Sequence, residues 1–269
     1  MINQTSHTKK ALAGALAISR ASLYYVSRQL PKDWDMKRRI EEVLSEHPSY
    51  GYRRVALDLR LNKKRCQRVM RLFSMRAYRR RGKKPKKTGV ATTFFPNLLK
   101  TTLPSYFNHI WVADFTYVPY QGKFIFLATV MDIFTREIVG YSLMPNHSGM
   151  LTLEALFSAL ANHPRPDIFH SDNGREYGSR VFIRLLNELD ILISRSTKSS
   201  PWENGCQESF YSQFKVDLGD PERFKTLAEL VYTIHHLLWA YNHTRIHSVL
   251  KMPPLVFVQR LLPLVEKVS

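Results

Sequence analysis

The chain has 269 residues, 44% of them hydrophobic and 23% charged, which is room for two domains and one sizeable core in an ordinary globular composition. No apolar run approaches the roughly 20 residues of a membrane-spanning helix and the N-terminus lacks a signal-peptide core, so a cytoplasmic protein is expected; Cys66 and Cys206, the only cysteines, exclude a disulfide framework and a Cys-x-x-Cys zinc site. The net charge of +18 is lopsided, with 25 Lys+Arg against 6 Asp+Glu in residues 1–109 and 15 against 16 in residues 110–269, so a polyanion-binding module joined to a near-neutral one is expected.

Residues 1–30 read as a short helix-turn-helix-like segment, with one helix from Thr8 to Leu16, a turn at Ala17-Ile18 and a second helix capped by Ser19. Such a unit would set Arg20, Ser22 and Tyr25 against DNA, although an ordinary helical hairpin has the same pattern. Pro31 should break the chain. Residues 31–77 then read as a basic helical DNA-binding domain, with helices from Asp35 to Ser45, Tyr52 to Leu59 and Lys63 to Phe73. Ile40, Val43, Leu44, Val69, Leu72 and Phe73 fall at helical spacing, while Arg53, Arg54, Lys63, Lys64, Arg65, Arg68 and Arg71 occupy the polar faces as candidate DNA contacts. Residues 78–109 form a basic linker: Tyr78 to Lys87 has no periodicity and heavy like-charge repulsion, and Pro96 and Pro104 block a long helix after it.

From residue 110 the pattern changes. Three strand-like runs, Ile110 to Val118, Phe124 to Asp132 and Glu137 to Leu143, are separated by Gln121-Gly122 and Thr135-Arg136 and predict an antiparallel meander. A helix from Leu151 to Asn162, a strand from Asp167 to His170, a helix from Arg180 to Leu189 and a strand from Ile191 to Ser194 follow. Helices from Glu203 to Lys215 and from Thr226 to Tyr241 complete an α/β fold, a mixed sheet covered by helices.

Asp114 is stranded in the apolar run Ile-Trp-Val-Ala-Asp-Phe-Thr-Tyr, where an ionised carboxylate costs several kcal/mol unless compensated. Asp172, just past the fourth strand, and Glu208, on a helix, can meet it at one end of such a sheet. Three carboxylates in one cleft repel one another and call for cations, and all-oxygen donors suit Mg²⁺ or Mn²⁺. On the helix, Cys206, Phe210 and Phe214 make an apolar stripe and Glu208, Ser212 and Lys215 lie opposite it. Glu203 is a rival third ligand, and scattered acids of a soluble surface remain an open alternative.

The phrases Trp-Val-Ala-Asp-Phe-Thr-Tyr, Met-Asp-Ile-Phe-Thr-Arg-Glu-Ile-Val-Gly-Tyr, His-Ser-Asp-Asn-Gly and Glu-Ser-Phe resemble the catalytic core of OrfB-type insertion-sequence transposases, relatives of retroviral integrase. The 35 residues between Asp172 and Glu208 match that family's spacing, as do Tyr241-Asn242-His243-Thr244-Arg245-Ile246-His247 and the upstream His47-Pro48-Ser49-Tyr50-Gly51-Tyr52-Arg53-Arg54. The resemblance implies a ribonuclease-H-like five-stranded core over residues 110–225 with a helical extension at 226–269. It implies two Mg²⁺ or Mn²⁺ ions on Asp114, Asp172 and Glu208, so that Glu208 is preferred to Glu203. Water would cleave a phosphodiester at an element end, and the freed 3′ hydroxyl would attack another, with no protein nucleophile. The implied partners are double-stranded DNA at element ends and target, and further copies of the chain on that DNA, in a bacterial cytoplasm.

Around this triad, Asp132, His170, Asn173, Lys215, Trp202, Arg245 and His247 are candidates for supporting roles, against turn capping for Asp132, a solvated helix face for Lys215 and packing or structural roles for the others. Family members are often fused by a frameshift to an upstream frame with a leucine zipper. This chain shows no sustained heptads, so either an upstream-frame partner or a compact self-sufficient variant is expected. Two other readings remain: a non-catalytic DNA-binding regulator or domesticated remnant, and a hydrolytic nuclease of the same fold.

Overall fold

The computed structural model describes residues 9–24, 29–78, 95–196 and 204–265. Its N-terminal part holds α1 (Lys9–Ala15), α2 (Gln29–Glu46), α3 (Tyr52–Asp58) and α4 (Lys63–Leu72). Ala17 takes a left-handed φ of 51° at the expected turn, but a short 3-10 helix, Arg20–Tyr24, follows it, and Tyr25 lies outside the described residues. Pro31 does not break the chain: it sits in the first turn of α2, where its missing N–H has no helical partner to lose, so the helix begins at Gln29 instead of Asp35. The early start places Asp33 against α4, where both oxygens of its buried carboxylate accept from Arg68, at 2.7 and 2.5 Å. Met36, Ile40, Val43, Tyr50, Val55, Val69 and Met70 form this unit's own core.

The sheet opens with an antiparallel meander of β1 (Ile110–Tyr120), β2 (Lys123–Asp132) and β3 (Ile138–Met144). Gln121, Gly122 and Arg136 make its reversals with φ of 46°, 72° and 64°. After α5 (Gly149–Leu160), β4 (Ile168–Ser171) pairs parallel with β1; after α6 (Arg180–Glu188), β5 (Leu192–Arg195) pairs parallel with β4. The order β3-β2-β1-β4-β5 is the mixed five-stranded sheet expected, with β1 at its centre. Because Val112 pairs with His170, the same register carried two residues on brings Asp172 level with Asp114.

Helices cover both faces. On one, α5 and α6 bury Trp111, Val130, Leu156, Phe169 and Phe182. On the other, α7 (Gly205–Leu218) and α8 (Leu227–His243) bury Val112, Leu127, Phe210, Phe214 and Ile234. The chain ends in α9 (Pro254–Val265). Among the described residues no helix is long and apolar enough to cross a membrane.

The basic helical unit is bolted to this core after α8. Ile246 N–H donates to the Tyr50 hydroxyl at 2.8 Å, and the buried Arg245 guanidinium donates to Ser49 Oγ at 2.6 Å while pairing with Asp217 of α7.

Candidate active site

Asp114 lies in mid-β1, opposite Thr129 of β2, with its carboxylate only partly exposed in an otherwise enclosed setting. One oxygen accepts the N–H of Phe115 at 2.8 Å. Asp172 follows β4 in a turn that folds back on itself, with Gly174 N–H donating to Asp172 Oδ1 at 2.9 Å. A Cβ on Gly174 would stand 2.9 Å from that oxygen and 2.8 Å from Glu176 Oε2, so the glycine lets the backbone close on the carboxylates. Arg195, buried at the end of β5, clamps the turn by donating to the Asp172 carbonyl at 3.0 Å, to Ser171 Oγ and to the Tyr177 carbonyl.

Glu208 sits exposed in the first turn of α7, the face away from the apolar stripe of Phe210 and Phe214. Two side chains seat that helix against Asp114. Gln207 is fully buried: its amide donates to the Val112 carbonyl at 2.8 Å and accepts from Thr129 Oγ1 at 2.9 Å. Tyr211 donates its hydroxyl proton to the Asp114 carbonyl at 2.7 Å. A polar residue and a phenol four positions apart on the buried side of α7 are the sequence signal for this anchor, and period-based reading passes over it because it scores buried faces by apolarity.

The electrostatics converge on Asp114. Burial pushes its carboxyl up to about 7, helped by the negative charges of Asp172 and Glu208 and opposed by the Phe115 N–H and the Lys215 ammonium. Asp172 is raised by burial and by Glu176, and held down by the Gly174 N–H and Arg195. Glu208 is raised by burial. The mutual repulsion therefore falls on the most enclosed of the three acids, and a cation between them would relieve it. The donors are all carboxylate oxygens, which fits a hard divalent ion and not zinc. Among the described residues no three His, Cys, Asp or Glu side chains stand close enough together to hold an ion by themselves.

The other sequence candidates divide. Lys215 has its ammonium 5.0 Å from the Tyr117 ring centre, and its charge favours ionised Asp114. Asp132 caps a turn, accepting N–H groups of Asn108, Phe134 and Thr135. His170 is buried against Ser194 at 2.8 Å, and Asn173 donates to the Ser196 carbonyl at 2.7 Å. Arg245 ties α7 to the helical unit, and burial plus three arginines hold His247 down at about 4. Arg53, Lys63, Lys64, Arg65 and Arg71 are exposed, Arg68 is engaged by Asp33, and Arg54 is half-buried against Gln213. Trp202 and Glu203 lie outside the described residues.

Residues 105–201 match the family described as "Integrase core domain", and residues 189–254 match a second family of the same description. Over 256 residues the chain is 31% identical to InsK of insertion sequence element IS150 from Escherichia coli K12, covering 89% of each. It is 31% identical over 251 residues to the transposase of insertion sequence element IS904 from Lactococcus lactis, covering 85% of this chain and 93% of that one. The chain belongs to the insertion-sequence transposases. A chain of the simian T-cell lymphotropic virus intasome shares the fold, with a TM-score of 0.50 at 19% identity over 77% of this transposase-family chain and 70% of that one. The five-stranded sheet with α7 packed against β1 is thus a ribonuclease-H-like core.

Proposed function

We propose that the chain is a DNA transposase in which Asp114, Asp172 and Glu208 hold divalent cations, Mg²⁺ or Mn²⁺, for cleavage and joining of phosphodiesters at insertion-element ends. The observation that carries this reading is the raised carboxyl of Asp114, pressed by Asp172 and Glu208 from separate segments of the chain. Structural acids are arranged to avoid such a conflict; a metal site is arranged around it. Bound there, two ions would supply activation of the attacking hydroxyl and stabilisation of the leaving oxygen in an in-line displacement.

The chain's own residues set the geometry. Asp114 lies on β1 and Asp172 just past the adjacent β4, while Gln207 and Tyr211 tie α7, which carries Glu208, to the Val112 and Asp114 carbonyls of β1. Arg195 keeps the Asp172 turn closed. Lys215, beside Tyr117, offers a cation to a substrate phosphate next to the acids. The exposed Arg53, Lys63, Lys64 and Arg65 track the backbone of double-stranded DNA, element end or target, and residues 31–77 act as the DNA-binding domain ahead of the 110–225 core. Two ends must be brought to one target, so further copies of the chain assemble on the DNA.

Incubating the purified protein with labelled element-end DNA and Mn²⁺ tests the proposal. Joined products are expected. Nicks alone would make the protein a nuclease, and binding with no product would make it a regulator.

A further inference from the structure

On the flank of α7, beside the face that carries Glu208, lies a cavity of about 230 Å³ that the chemistry above does not use. Ser209 and Gln213 of α7 form one wall, and the others come from distant parts of the chain: Arg54 of α3, Arg136 of the β2–β3 turn, and Arg245 and His247 after α8. Among the described residues three guanidinium groups line it and no carboxylate does. Arg245 is neutralised from behind by Asp217. Arg54 donates to Gln213 Oε1 at 2.9 Å and Arg136 to Cys206 Sγ, and neither neutral acceptor balances a charge. Among the described residues, then, neither Arg54 nor Arg136 has a direct ion-pair partner, although the Asp217 carboxylate acts on Arg54 from farther off.

The excess is felt by its neighbours. Arg54 is lowered by burial and then by Arg245, against a smaller opposing pull from Tyr50 and Asp217, and burial together with Arg136, Arg54 and Arg245 keeps His247 neutral. Uncompensated charge in a half-buried pocket is costly unless an anion arrives. Guanidinium forks converging from two sides suit a tetrahedral oxyanion, and the volume accommodates one.

The position of the cavity selects the anion. With 3.6 residues per turn, Ser209 and Gln213 lie on the flank of α7 adjoining the face of Glu208, Ser212 and Lys215. A strand laid across Glu208 reaches the cavity within the roughly 10–12 Å width of the helix itself. We propose that the cavity receives one phosphate of the DNA backbone, gripped by Arg54 and Arg136, and so fastens the strand to the catalytic helix and couples the basic helical unit to the core. This rests on the strand-transfer reading for the identity of the DNA, while the site itself is defined by the cavity.

The test compares Arg54→Gln, Arg136→Gln and the double variant with the wild-type chain. Each single variant should lower the salt slope of element-end binding by about one, the value of one phosphate contact, and the double should lower it by little more, since both arginines hold the same phosphate. A scan of single uncharged methylphosphonates should find one position that weakens the wild type and leaves the double variant unchanged. Inorganic phosphate should raise the melting temperature of the wild type but not of the double variant, which also shows that the variant folds.

Wild-type slopes in all three variants overturn the proposal. So does a wild-type melting shift with inorganic phosphate that has no counterpart in the DNA slopes, which would mark a free-anion site. If the slopes fall as expected but the wild type joins no DNA, the transposase reading fails and the phosphate site stands; if it joins DNA with unchanged slopes, the reverse holds.

Discussion

Asp114 and Asp132 sit on neighbouring strands of one sheet, and burial raises the carboxyl of each, yet their surroundings differ in kind. Asp132 accepts three backbone N–H groups, from Asn108, Phe134 and Thr135, so the protein satisfies it internally. Asp114 accepts one, from its own neighbour Phe115, and faces two further carboxylates. Asp132 is a turn cap that happens to be acidic, whereas Asp114 has one backbone donor and the Lys215 charge against the repulsion of two carboxylates. Burial alone does not mark a site; an accounting of donors does.

The sharpest way to break this contrast is to neutralise each acid in turn. Asp114→Asn, Asp172→Asn and Glu208→Gln should each cut strand joining by at least about a hundredfold in Mg²⁺, the scale of losing one electrostatic stabiliser, with end-DNA affinity near wild type. Retained joining in any of them removes that residue from the site. Asp132→Ala should do the opposite, lowering stability by about 3 kcal/mol, since buried amides lose a charged acceptor, while joining per folded molecule is kept. Chemical denaturation alongside a joining assay separates the two outcomes.

Glu137, near Asp132, gives a pH test. Burial and the Asp132 charge push it up to about 7 from an ordinary 4.5, so the folded chain binds its proton more tightly than the unfolded one. The stability from this group is therefore full below about 4.5 and is lost as pH rises through about 7. Glu137→Gln should flatten that slope and stabilise the protein above neutral pH, by up to about 2–3 kcal/mol. Melting curves across that range would show a parallel offset instead if Glu137 were indifferent. The smallest effect is expected at the DNA surface: Lys63→Gln or Lys64→Gln should reduce the salt slope of DNA binding by about one, uniformly across sequences, without touching stability.

Much of the molecule was legible in the chain because its signals are local. Strand-like runs separated by turn residues such as Gln121-Gly122 marked the meander, and the helical stripe of Phe210 and Phe214 marked the buried side of α7. The acids stood out because each interrupts an apolar or motif-bearing stretch. Pro31 was misread because a proline breaks a helix interior but fits a first turn, and only the Asp33–Arg68 pair reveals where α2 begins.

By itself, then, the sequence determined most of the elements and their order, since periodicity is a property of neighbours along the chain, and its resemblance to a transposase family singled out Asp114, Asp172 and Glu208. Tertiary structure decided which polar groups were satisfied. That Arg68 is spent on Asp33, that Gln207 anchors α7 to β1, and that Arg54, Arg136 and Arg245 share one cavity follow from sheet order and helix docking. Those contacts join residues far apart in the chain, and no local pattern encodes them.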